Sequence, residues 1–264
     1  MRFADRRHDR HDRYDRYDRY DRYDRIGRSY SAARREDPVL RQRIFAQLEG
    51  HSLILNVGAG TGSYERSDAR VVAVEPSWSM IRQRPLGAAP VVRAVAERLP
   101  FPDNSFDVAT ALWTIHHWTD PAAGVRELRR VAAKVVLVVG SSALNALWLT
   151  RDYFPGMARV RRPEIQPEEL AGCLGVGSRV ETIAVPRECQ DGFGEAFWAR
   201  PEAYLEPSVR QGTSAFTLLE KEELAVGLQK LRNDLASGEW DARNGVLREL
   251  AEYDCGLRMV IAEG

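Results

Sequence analysis

Lysine is nearly missing from this chain: only Lys134, Lys221 and Lys230 interrupt a run of arginines among its 38 basic residues. The 38 acidic residues cancel them, so the formal charge is zero. A chain with no positive excess has no field with which to hold a polyanion, and no nucleic-acid partner is expected. Cysteine is scarce as well. Cys173, Cys189 and Cys255 stand far apart and in no metal-ligand spacing. That argues against a disulfide framework or a metal site and for a reducing compartment. Long apolar runs are missing too, so no membrane span is expected. The start, MRFADRRHDR, lacks the hydrophobic stretch of a secretory signal. The expected location is the cytoplasm.

What is present is a globular composition, 44% apolar and 29% charged over 264 residues. That length holds one large α/β domain, or a core domain with a substantial insertion. Residues 1–25 carry a repeat of Asp, Arg and Tyr or His with a period of three. On a helix of 3.6 residues per turn its tyrosines would drift around the surface, so the segment reads as a charged low-complexity tail, disordered or partly helical.

The rest alternates strand and helix signals. A helix is expected from Ile26 to Gly50, with Leu40, Ile44 and Leu48 at four-residue spacing and a glycine stop. Strands are expected at LILNV (53–57), VVAVE (71–75), VVRAV (91–95), FDVATALW (106–113) and KVVLVVG (134–140). Short helices fall over WSMIRQR and over Pro121 to Ala133. β-Branched runs separated by helices imply a doubly wound, Rossmann-like parallel sheet. Further helices are expected over Ala143–Met157 and Pro167–Leu174, then a strand at SRVETIAV (178–185). A last strand, CGLRMVIAE (255–263), closes the chain. Residues 26–186 and 255–264 therefore read as the core. Residues 187–254 read as a helical insertion between the last two strands, large enough to cap the sheet's carboxyl edge.

The stretch LILNVGAGTGSYE ends a strand in three glycines, Gly58, Gly60 and Gly62. Such a turn lets backbone approach a ligand at the carboxyl end of an open sheet. Its spacing is G-x-G-x-G rather than the dinucleotide pattern G-x-G-x-x-G. Glu75, ending the next strand, can accept hydrogen bonds from both hydroxyls of a ribose. Together they indicate an adenosine ligand, either a nicotinamide dinucleotide or S-adenosylmethionine.

NVGAGTGSYE, then VVAVEPSWSMI, then VAERLPFPDNSFDVATALWTIHHWTDP resemble, in order, the three cofactor motifs of class I S-adenosylmethionine-dependent methyltransferases. The likeness is nearest to the small-molecule branch that includes the ubiquinone and menaquinone biosynthesis enzymes, and it covers about Tyr30 to Gly140. The resemblance implies a seven-stranded mixed sheet whose last strand is antiparallel, with S-adenosylmethionine as cofactor and a small molecule as methyl acceptor. It implies that Gly58, Ala59, Gly60, Thr61 and Gly62 cradle the methionine part and that Glu75 holds the ribose. Pro76 and Met80 would line the adenine pocket, with Ala96 and Glu97 at the adenine edge. Leu112 and Trp113 would face the sulfonium. Tyr30 and Arg34, in YSAARREDP, would close over the cofactor.

Two positions depart from the family's pattern. Asn56 stands where an acid is usual, and Val95 replaces the usual Asp before Ala96. The expectation is a lost electrostatic anchor and weakened cofactor binding, which Asn56→Asp would restore. His116 and His117, just past the fourth strand, are the candidate bases for an acceptor that must shed a proton. Trp118, Tyr153, Trp198 and Tyr204 are the candidate acceptor contacts, with FWARPEAYLEP (197–207) as a covering loop. These aromatics suit an apolar or aromatic acceptor. Competing readings are a non-catalytic protein that keeps the fold, a nicotinamide oxidoreductase and an RNA methyltransferase.

Overall fold

The computed structural model describes residues 34–161 and 165–264, so the Asp-Arg-Tyr repeat and Tyr30 lie outside the described residues. Five parallel strands form its centre: β1 (Leu53–Val57), β2 (Arg70–Val74), β3 (Val91–Val92), β4 (Phe106–Leu112) and β5 (Ala132–Gly140). Later come β6 (Ser178–Thr182), β7 (Val185–Pro186), β8 (Glu252–Tyr253) and β9 (Leu257–Ala262). The main sheet has seven strands in the order β3-β2-β1-β4-β5-β9-β6. The last of them in sequence, β9, runs antiparallel to both its neighbours, β5 and β6. The expected Rossmann-like mixed sheet is thus present.

Alternation along the strands explains the two covered faces. On β5, Val136 and Val138 join one buried cluster, while Val135, Leu137 and Val139 join the other. Period-two alternation of apolar residues on both sides is what a sheet buried on both faces requires. The helices start where the sequence offers caps. Asp37 accepts from the N–H groups of Val39 and Leu40 ahead of Pro38–Ala46, and Asp120 accepts from Ala123 ahead of Pro121–Val131.

Several expected elements come out differently. The helix expected over Ala143–Met157 is broken into a 3₁₀ turn (Ser142–Ala146), a π turn (Leu149–Tyr153) and a short helix (Gly156–Val160). Pro155, whose ring cannot sit inside a helix, separates the last two. The strand expected over 178–185 ends at Thr182. Val185 and Pro186 instead leave the main sheet and pair antiparallel with Tyr253 and Glu252. This two-residue ladder is the stem of the segment between Pro186 and Glu252. That segment holds short helical pieces over 201–217, the long helix Lys221–Ser237, and Glu239–Asn244 after a left-handed turn at Gly238 (φ 79°).

Most of the large aromatics of this segment are core. Trp198, Tyr204, Phe216 and Trp240 are buried in the same cluster as Leu40 and Ile44 of the helix Pro38–Ala46 and Val136 of β5. The segment is thus packed against one face of the sheet. Gly227 lies where the long helix meets the π turn, and a Cβ there would sit 2.4 Å from the Tyr153 carbonyl oxygen and 2.5 Å from the Phe154 ring. Helix propensity alone favours Gly227→Ala by roughly 1 kcal/mol. Overpacking against a backbone atom costs about 1–3 kcal/mol and should win. Gly227→Ala is therefore expected to lower stability by up to about 2 kcal/mol, read as a lower urea midpoint.

Candidate active site

The glycine turn is stitched to the carboxyl end of β2. Gly58 and Ala59 donate to the Val74 carbonyl at 2.8 and 3.0 Å. Gly60 donates to Glu75 Oε2 at 2.8 Å, and Ser77 N–H donates to Glu75 Oε1 at 2.9 Å. Gly58 (φ 72°) is irreplaceable on space as well as conformation, because a Cβ there would lie 2.0 Å from Thr114 Oγ1. Burial raises the Glu75 carboxyl above its usual range, opposed by those two backbone donors. Each of its oxygens keeps lone-pair capacity for a sugar hydroxyl.

These groups open onto one cavity. It is lined by Arg34, Asn56, Gly58, Ala59, Gly60, Thr61, Glu75, Pro76, Met80, Ala96, Leu112 and Trp113 from the expected cofactor set. His117 and Trp118 line it as well. Two expected residues do not. Gly62 (φ 99°) lies behind the turn, beside Arg84 and Glu65. Glu97 turns away, its Oε1 accepting from the N–H groups of Thr119 and Asp120 at 2.6 and 3.1 Å. Ser63, Tyr64, Ser77 and Thr114 line the cavity unexpectedly. Tyr64 was visible only as the residue two past the last glycine, a position with no side-chain rule attached.

Asn56 has a different role from the one its position implies. Its Nδ2 donates to Glu65 Oε1 at 3.2 Å, and its Oδ1 accepts from Thr110 Oγ1 at 3.4 Å. Glu65 forms an ion pair with Arg84 at 2.8 Å, with side chains only 8% and 5% exposed. Arg84 also donates to the Gly60 carbonyl at 3.3 Å. The loop therefore carries its carboxylate at residue 65 instead of 56, neutralised by an arginine that braces the glycine turn. An acid at 56 would oppose Glu65 across 3.2 Å in a buried setting, where like charges force one carboxyl to stay protonated.

A second cavity adjoins the first, sharing Arg34 and Trp113. The two enclose about 1030 and 1540 Å³, part of it open to solvent, so the second side is the roomier. Its walls come from His116 after β4, the β5 end at Gly140–Ser142, Arg161 and Gln166, and Phe193–Glu195 with Gly212–Ala215 of the inserted segment. Tyr153, Trp198 and Tyr204 line neither cavity. Their polar tips are committed to Asp234 (2.7 Å), the Val185 carbonyl (3.1 Å) and the Gly194 carbonyl (2.8 Å) respectively. Buried aromatic rings with satisfied polar atoms are packing groups, so the expectation of acceptor contacts there is corrected.

The histidine pair divides between the cavities, with ring centroids 3.7 Å apart. His116 exposes its surface to the second cavity. Much of its surface is exposed there, and the surrounding protein and two arginines disfavour its charged form. Desolvation, then Arg34 and Arg161, pull it down from 6.5 to about 4. A neutral imidazole of that kind hydrogen-bonds well and takes protons poorly.

Trp113 separates the two cavities. It has a left-handed backbone (φ 52°) and stacks against Tyr64 at 5.3 Å and Phe193 at 5.7 Å, with the Arg34 guanidinium 5.6 Å from its ring. Tyr64 is left-handed too (φ 61°). Non-glycine residues in that conformation cost about 1–3 kcal/mol and cluster at ligand sites.

Residues 55–139 match the family described as Methyltransferase domain. A crystal structure from Anabaena variabilis, described as a candidate methyltransferase from an antibiotic biosynthesis pathway, superposes with a TM-score of 0.81 at 30% identity. The match covers 88% of this chain and 99% of that one. The chain belongs to the class I S-adenosylmethionine-dependent methyltransferases. Among curated relatives, this methyltransferase is 31% identical over 97 residues to an uncharacterised methyltransferase of Bacillus subtilis. It is 35% identical over 79 residues to a demethylmenaquinone methyltransferase of Corynebacterium kroppenstedtii. These stretches span 33% and 30% of this chain and only 38% and 34% of the relatives' lengths. No helix among the described residues is long and apolar enough to cross a membrane, and none of their His, Cys, Asp and Glu side chains form a metal-sized cluster.

Two outcomes follow from this geometry. Asn56→Asp should bind S-adenosylhomocysteine no more tightly than wild type and melt lower; calorimetry and thermal denaturation read both. His116 has a folded-state pKa depressed to about 4, so on acidification the unfolded chain takes up this proton first. Stability should therefore fall as pH drops from 6.5 towards 4, and His116→Gln should flatten that slope in a pH series of melting curves.

Proposed function

We propose that the second cavity seats a small-molecule methyl acceptor and that the segment between Pro186 and Glu252 supplies one wall of its site. The observation that carries this reading is the shared boundary. Arg34 and Trp113 line both cavities, so an acceptor in one lies beside whatever fills the other.

The first cavity fits S-adenosylmethionine on its own residues. Gly58 and Gly60 leave bare backbone for the methionine part, Glu75 offers acceptor oxygens to the ribose, and Met80 with Ala96 supplies an apolar slot for adenine. The bound cofactor would supply an activated methyl on a sulfonium, which makes positioning for in-line attack the main task of the protein. Trp113, clamped between Tyr64 and Phe193, orients the boundary. His116 offers a neutral hydrogen-bonding edge to the acceptor rather than a strong base. Trp113 and Phe193 give the acceptor an aromatic wall, while Ser141, Ser142, Gln166 and Thr213 give it a polar one. An aromatic molecule with a polar edge matches that lining, in keeping with relatives named for quinone and antibiotic biosynthesis.

The decisive test is calorimetric titration with S-adenosylhomocysteine, using NADH as control. Binding of the former alone is expected, and Glu75→Ala should weaken it by about 10- to 100-fold, the scale of a hydrogen bond to a charged group. NADH binding without S-adenosylhomocysteine binding would overturn the cofactor reading. With the cofactor fixed, an acceptor screen should start from phenols and aromatic acids.

A further inference from the structure

Asp191 belongs to the inserted segment yet serves the cofactor side. Its side chain is 1% exposed. Oδ1 accepts from Arg34 Nε at 2.5 Å, and Oδ2 accepts from Arg34 Nη2 at 3.1 Å and from the Tyr64 hydroxyl at 2.9 Å. Burial, and then the Asp191 charge, raise the Tyr64 phenol above its ordinary value, so it stays a donor. The brace is reciprocal: Asp37, which caps the helix Pro38–Ala46, accepts from the Gln190 N–H at 3.0 Å and donates its own N–H to the Tyr64 hydroxyl at 3.1 Å. Both residues that Asp191 holds press on Trp113, and two positions further on Phe193 presses on it as well.

We propose that Asp191 is a positioning residue that couples occupancy of the cofactor cavity to the order of the acceptor wall. The inference rests on the reading of the two cavities given above. A ligand that fixes Tyr64 and Arg34 also fixes the carboxylate they share. Asp191 lies two residues before Phe193, so restraint passes from the glycine turn into Phe193–Glu195. Tyr64 and Asp191 are 127 residues apart in sequence, and no local motif links them.

Hydrogen–deuterium exchange with and without S-adenosylhomocysteine tests the coupling, followed over 190–196 and 212–215, most of which line the acceptor side alone. In the wild type, ligand should slow exchange there as well as over 56–64. In Asp191→Asn, binding should weaken about tenfold, the scale of one charge-assisted hydrogen bond, and at saturating ligand only 56–64 should be protected. Tyr64→Phe keeps the Arg34 ion pair and should show intermediate transmission, so the test survives if Asp191→Asn does not fold. A residue that merely stabilises the fold would leave the transmitted protection unchanged. Transmission that is equal in both variants and wild type, or absent from the wild type despite binding, would overturn the coupling. Failure of the wild type to bind would instead overturn the cofactor reading beneath it.

Discussion

Everything at this site depends on how the chain leaves β4. At Trp113 the backbone turns left-handed while its N–H still donates to the Val138 carbonyl at 2.9 Å. The strand thus ends with its ladder intact and its next side chain thrown across the sheet edge. A bulky residue in that conformation persists only if its surroundings hold it there. They do so from three directions: the glycine turn through Tyr64, the entry segment through Arg34 and the inserted segment through Phe193. Remove any one and the wall between the two cavities loses a support.

Charge in the interior follows the same economy of placement. Three buried or half-buried ion pairs, Glu65–Arg84, Arg34–Asp191 and Arg161–Glu195, stand around the cavities. Each joins segments that are distant in sequence or separated by a loop. Deleting one partner of such a pair leaves a buried charge uncompensated, at about 3–5 kcal/mol. That penalty is an argument for their role as fasteners rather than as sources of net stability. Desolvation first, and then the charges of two of these arginines, disfavour the protonated form of His116.

What was legible in the sequence was local. Gly58, Gly60 and Glu75 announced themselves because their chemistry needs only strand ends and a turn, all written within residues 53–75. The parallel strands themselves followed from apolar runs and their spacing. What was illegible depends on long-range partners. Asn56 looked like a deficit because Glu65 and Arg84 cannot be recognised as its complement before the loop folds back. Glu97 looked like a cofactor contact because it sits in the motif, but the turn before Pro121 consumes its oxygen. The aromatics at 198 and 204 looked like a substrate surface. Composition alone does not distinguish a ring that meets a ligand from one that meets a carbonyl.

The stem formed by Val185–Pro186 and Glu252–Tyr253 brings the two ends of the inserted segment side by side. A loop whose ends already meet can change length at little entropic cost to the body that carries it. In the proposed function, the acceptor wall is therefore mounted like an interchangeable jaw on a fixed vice. Selection could then recut the grip for a new molecule while the strands around the glycine turn stay as they are.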